Sequence, residues 1–319
     1  MERTYPASTA SAGLRLFLGW FGRAYARSTL VGATHLEGNF LTGELTVGRN
    51  WRLAFVLADT VASEATVPFE AARAAVEQNL DEAGLDVVLW LPRGARLPEE
   101  PAAVAALVAA VREAGELPDG RRELRLPVNL QLRRTATTGS VVTILGGLAA
   151  HWAQFTNRVP GSFMLNSAAL SRLPALQEER DALAERIVLA AGQPTADESQ
   201  TIAAEDAWTV TTLDEGGSCV VGSPRAEGDE QSAALRRDLR ATLREVADLP
   251  RVPADARALI VLGAATYGEE EKLTWALRGM DPRLYAGYDI VAVIADGLVK
   301  PLLNPAPGTL AWDAPLPGR

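Results

Sequence analysis

Hydrophobic positions along this chain recur with a period near 3.6 in some stretches and near 2 in others, and the switches between the two periods outline an α/β protein. Leu14, Phe17, Leu18, Phe21 and Tyr25 share one face of a helix expected over 11–26, with Arg15 and Arg23 on the opposite side. Two strands, 35–47 and 51–58, follow and read as a hairpin around Gly48-Arg49-Asn50. Pro68 suits the first turn of a helix whose stripe is Phe69, Ala72, Val76 and Leu80 and which stops at Gly84. The run Leu85 to Leu91 is apolar apart from Asp86, as in a strand covered on both faces. Pro101 opens a helix with no polar side chain between Ala102 and Val111, so the helix is expected to be packed into protein. From Glu123 to Arg133 the pattern alternates cleanly, and 140–145 is expected to return beside it as a strand.

The same order resumes after an irregular, aromatic-bearing stretch. A helix is expected over 174–191, an exposed polar loop over 193–205, and a hairpin of 208–213 with 218–222. A helix over 229–248 and an apolar strand, Arg257 to Gly263, come next. A helix over 269–278 and a hairpin over 289–303 turning at Asp296-Gly297 close the series. The expected fold class is therefore α/β, in two similar halves. Each is a mixed β-sheet flanked by helices in the order helix, strand pair, helix, strand, helix, strand pair, with Leu85 to Leu91 the counterpart of Arg257 to Gly263. The divisions are residues 1–147 for the first half, 148–173 for a packed bridge, 174–303 for the second half and 304–319 for an extended, proline-rich tail.

At 319 residues the chain is longer than one ordinary core needs. No stretch approaches the ~20 apolar residues of a membrane span, and no secretory signal pattern opens the chain, so a membrane partner is not expected. Cys219 is the single cysteine, which excludes an intrachain disulfide and a cysteine-based metal cage and suits a cytoplasmic setting. Lys272 and Lys300 are the only lysines among 31 basic residues, so nothing before position 272 can act as a phosphate-loop or Schiff-base lysine. The net charge of −9 sits mostly in residues 151–319, which disfavours nonspecific binding of nucleic acid by the whole surface.

Motifs with a built-in mechanism are missing: there is no HExxH, CxxC, GxSxG, GxxxxGK[ST] or strand-borne GxGxxG. His35 and His151 are the only histidines, and hydrogen bonding within the fold is the plainer reading of both. Cys219 lies in an apolar run and reads as a buried hydrophobe. Glu37, Glu44 and Asp59 fall on or beside the first strand pair and are the candidate catalytic carboxylates. Convergence would let them hold Mg²⁺, which takes oxygen ligands; without it no cofactor is expected. Arg236, Arg240 and Arg244 stand one turn apart on the helix over 229–248 with Arg237 beside them, the candidate nucleic-acid contact. Arg125, Asn129, Gln131 and Arg133 line the outward face of their strand and could serve a polymer or a protein.

Residues 176–303, with their helix, strand pair, long helix and the closing segments ARALIVLG and EEEKLTWALRGMDPRLYAGYDIVAV, resemble PD-(D/E)XK nuclease domains, in particular the Shedu-type antiphage nucleases. The strand that would carry Glu-x-Lys reads Ser218-Cys219-Val220-Val221-Gly222-Ser223-Pro224-Arg225, and the literal Glu270-x-Lys272 falls in an expected helix. The resemblance thus implies a catalytically silent relative. The expectation is a non-catalytic binding or adaptor subunit, with a protein partner or a second copy of itself, in a nucleic-acid-handling or defence assembly. The alternatives are a metal-dependent phosphodiesterase built on Glu37, Glu44 and Asp59, and a small-ligand sensor binding between the halves.

Overall fold

A computed structural model describes residues 7–60, 67–92, 95–146, 157–193, 199–213, 217–222, 231–250, 252–262, 277–306, 308–310 and 312. The fold is α/β, and the described residues form two mixed sheets flanked by five α-helices. The chain gathers into two compact units, residues 1–97 with 211–319, and residues 98–210.

The first unit opens with helix α1 (Ala7–Tyr25), followed by β1 (Thr29–Glu37), β2 (Phe40–Val47) and β3 (Trp51–Asp59). The single strand expected over 35–47 is two strands, because the chain reverses at Gly38, whose φ of +56° is open to glycine at little cost. After α2 (Val67–Glu82) and β4 (Val87–Trp90), α3 (Pro101–Glu113) begins the second unit. Its buried residues are only Val104, Leu107 and Val111. The helix expected to pack into protein is half exposed, and most of its exposed positions are alanine, whose small side chain loses little by meeting water.

The second unit continues with β5 (Gly115–Glu116), β6 (Arg122–Ala136), β7 (Ser140–Leu145), β8 (Gly161–Asn166), α4 (Gln177–Gly192) and β9 (Ser199–Thr212), whose last two residues belong to the first unit. Strand β6 pairs antiparallel with β5, β8 and β9, and β7 pairs parallel with β8. Three expectations are corrected here. Strand β7, expected to return beside β6, pairs instead with β8, which lies between them. The packed bridge contributes β8, while its residues 148–156 lie outside the described residues, as does His151. The polar stretch expected as a loop over 193–205 is strand from Ser199 onward, because Ile202 and Ala204 turn into the core while polar neighbours face out.

In the first unit, β10 (Cys219–Val221) pairs parallel with β4, and α5 (Gln231–Ala247), β11 (Ala256–Leu262), β12 (Ile290–Ala295) and β13 (Leu298–Leu303) complete the chain. The expected hairpin of 208–213 with 218–222 does not form, since β4 is threaded between those segments. Leu213 N–H donates to the Asp86 carbonyl at 2.8 Å and Trp90 Nε1 to Thr211 Oγ1 at 2.9 Å. The amides of β10 and the turn before it that face away from β4 are met by the carboxylates of Glu77 and Asp81 on α2, which accept from Val220 and Ser218. The helix expected over 269–278 lies almost wholly outside the described residues, as do Glu270 and Lys272.

The unit's main sheet runs β1-β2-β3-β11-β12-β13, with β3, β11 and β12 parallel and the outer pairs antiparallel. It therefore joins strands from both expected halves. The turn to β13 is at Asp296-Gly297 as expected, both residues having positive φ. Alternation along the strands splits the sheet into two faces. Leu45, Leu53, Phe55, Leu57, Ile260, Leu262 and Ile294 pack beneath Leu14, Phe17 and Phe21 of α1, whereas Leu259, Val261, Val291 and Val293 pack against Leu239, Leu243 and Val246 of α5. Within the tail, Trp312 is buried on the α1 side beside Phe21 and Tyr25, and its carbonyl accepts from Arg27.

Candidate functional site

Along the α5 face, the main sheet extends past the end of the helix, and the uncovered part forms a groove of about 520 Å³. Its floor is made by β1, β2 and β3, its far side by Arg257 and Ala258 of β11, and its apolar wall by Val246 in the last turn of α5 with Leu249, Pro250 and Val252 beyond it. The register explains which side chains face it. His35 opposes Thr42, Glu37 opposes Phe40, and Glu44 opposes Ala54, so His35, Glu37, Thr42, Glu44 and Thr46 alternate onto this side while Leu41 and Leu45 turn to the core under α1. Gly43 lies between them because the Phe55 ring crosses it: a Cβ there would stand 2.8 Å from the ring.

Ala54 is opposite Glu44 on one side and Arg257 on the other, so Glu44, Ala54 and Arg257 form one row across three strands. Two strand spacings, about 10 Å, separate the backbones of the two charged residues, with a single methyl group between them. Among the described residues Glu44 makes no ion pair, and the Arg257 guanidinium makes only a long 3.4 Å bond to the Val252 carbonyl. The Arg257 backbone is fixed, since its N–H donates to Asp289 Oδ2 at 2.8 Å and its carbonyl accepts from the Asp289 N–H at 2.9 Å.

The three candidate carboxylates are thus split. Glu37 and Glu44 face the groove, whereas Asp59, in step with Leu53, Phe55 and Leu57, turns to the α1 side of the sheet and is buried. Among the described residues no group of three or more His, Cys, Asp or Glu side chains could hold a metal ion. Arg236, Arg237, Arg240 and Arg244 are exposed on α5, opposite its buried Leu239, Leu243 and Val246. On β6, Arg125 is occupied within the fold by Glu123 at 2.6 Å, Glu179 at 2.5 Å and Glu205 at 3.7 Å, and Gln131 bonds to Thr201 and Ser199, while Asn129 and Arg133 are exposed. Cys219 is fully buried, and burial pushes its thiol far up, with the Glu77 carboxylate adding to the shift.

Sequence reasoning singled out Glu44 but passed over Arg257 and Ala54. The signal for Arg257 was a charged residue inside an otherwise apolar strand. No family model matches the chain, and neither does any curated protein or solved structure. No helix among the described residues is long and apolar enough to cross a membrane.

Proposed function

We propose that this chain is a ligand-binding protein, of the sensor kind, whose working surface is the groove on the first unit. The observation that supports this reading is the groove's composition: residues of β1, β2 and β3 line it together with Val246, Leu249, Pro250, Val252, Arg257 and Tyr288, so a ligand there would touch segments about 200 residues apart in the sequence. Its volume is within the ~300 to 1,000 Å³ typical of small-molecule sites, and a polar floor against an apolar wall is the usual chemistry of such sites. A cytoplasmic setting belongs to this reading and is supported by the single, buried cysteine. The metal-dependent phosphodiesterase reading loses its support, because Asp59 is on the opposite face of the sheet from Glu37 and Glu44.

An adaptor role is a second reading. It is favoured by β7, an edge strand on which Val141 and Leu145 are about half exposed, a surface suited to a protein partner or a second copy. Placement in a nucleic-acid-handling or defence assembly would draw on the arginine stripe of α5, and the catalytically silent nuclease-like ancestry remains part of that second reading.

The groove reading is tested with anilinonaphthalene sulfonate, a dye that brightens in apolar sites. Wild-type protein should enhance its fluorescence saturably, and Ala54→Trp, which fills the floor from an open sheet face, should abolish the enhancement with the thermal transition unchanged. Equal enhancement by the variant would refute the reading.

A further inference from the structure

We propose that the groove takes a short apolar peptide with both termini free, its ammonium group on Glu44 and its terminal carboxylate on Arg257. This rests on the groove being the binding surface, and it adds the chemical class of the ligand.

The argument starts from the row Glu44, Ala54, Arg257. Opposite charges on neighbouring positions of one sheet face ordinarily pair with each other or with a third residue. Here a strand lies between them, and it carries alanine, the smallest side chain that still has a Cβ. The carboxylate and the guanidinium make no ion pair among the described residues. A guanidinium has five donors in a planar fork matched to a carboxylate, and only one of these is used, at 3.4 Å. A partner that satisfied both groups would carry a cation and an oxyanion at opposite ends.

The backbones of Glu44 and Arg257 stand two strand spacings, about 10 Å, apart, a span that two to three residues of an extended chain cover at about 3.3 to 3.6 Å per residue. The groove's volume of about 520 Å³ also exceeds what a single amino acid fills. The body of the ligand would lie against Val246, Leu249, Pro250 and Val252, which selects apolar side chains. On the floor Thr46 supplies a hydroxyl for its peptide groups, and Thr42, whose hydroxyl donates to the His35 carbonyl, supplies an acceptor.

The test is titration calorimetry on the full chain with the peptide Leu-Ala-Leu, its N-acetylated form and its C-amidated form. Wild-type protein should bind the free peptide, and each capped form should bind about 10-fold or more weakly, the loss typical of one charge-assisted hydrogen bond. Glu44→Gln should remove the discrimination against the acetylated form only, and Arg257→Gln the discrimination against the amidated form only, with melting temperatures confirming that both variants fold. Equal binding of all three peptides to wild type, blocked by Ala54→Trp, would overturn the end-group assignment while leaving the groove as a binding surface. Absence of binding by any of them would overturn the peptide inference, and the dye experiment then decides whether the groove binds at all.

Discussion

Asp206 is a buried carboxylate of the second unit, and its removal has a calculable cost. Its carboxylate is 4% exposed on β9 and accepts three hydrogen bonds, from the backbone N–H of Ser171 at 2.8 Å, that of Arg172 at 2.7 Å and Trp208 Nε1 at 2.8 Å. The bonds from Ser171 and Arg172 clamp the segment that leads into α4, a clamp extended by Glu123, which accepts from Ala175 N–H at 3.0 Å, and by Ala207 N–H on the Arg172 carbonyl. Asp206→Ala strands three donors. At ~1 to 3 kcal/mol for each buried unsatisfied group, less the relief of no longer burying a carboxylate, the net loss is about 2 to 4 kcal/mol.

The relief is real, because burial pushes the Asp206 carboxyl above its ordinary value despite the three donors, and burial does the same to Glu123. A carboxyl that holds its proton more tightly when folded contributes stability that is complete below its unfolded value and is lost as pH rises through its folded value. Stability of this region should therefore decline as pH climbs through and above the ordinary carboxylate range. Asp206→Asn, which cannot titrate and keeps one acceptor for the backbone amides, should lose less than alanine and should show a flatter pH profile.

Hydrogen exchange of the peptide spanning 168–176, followed between pH 4 and 7 with correction for intrinsic rates, measures this clamp directly. Asp206→Ala should exchange there at least 10-fold faster than wild type at pH 7. A change below about 3-fold, or an Asn variant with the wild-type pH slope, would refute the reasoning.

Gly222→Ala should destabilise the first unit by about 1 to 3 kcal/mol in thermal or urea melts, because the new Cβ would stand 2.5 Å from Leu91 Cβ between adjacent buried strands. Cys219, whose thiol burial holds protonated, should resist Ellman's reagent at pH 8 in the native protein and react in full on unfolding; fast native labelling would contradict its placement. If single-stranded or duplex DNA binds, the variant Arg236→Gln, Arg240→Gln, Arg244→Gln should bind more weakly and flatten the slope of log affinity against log salt by ~0.7 to 0.9 for each phosphate it no longer neutralises. An unchanged slope would mark the stripe as a solvated helix face.

The repeating patterns in the sequence determined the class of the protein and much of its inventory of elements. Val87 to Trp90 and Ala258 to Leu262 are apolar because both faces of each strand are covered there, and β4 and β11 are interior strands. The α1 stripe and the Asp296-Gly297 turn were legible for the same reason, since short-range sterics and periodicity produce them. Polar Ser199 to Glu205 was not, because its strand conformation comes from pairing with β6 some 70 residues earlier. Alternation with a period of 2 tells which side chains share a face but not which strand lies alongside, so the insertion of β4 between β9 and β10 left no local trace. The candidate site depends on the same long-range choice. Glu44 could be singled out as a carboxylate on a strand, but its place in a row with Ala54 and Arg257 exists only because β3 pairs in parallel with β11, and that register was decided by the packing of α1 and α5 on the two faces of one sheet.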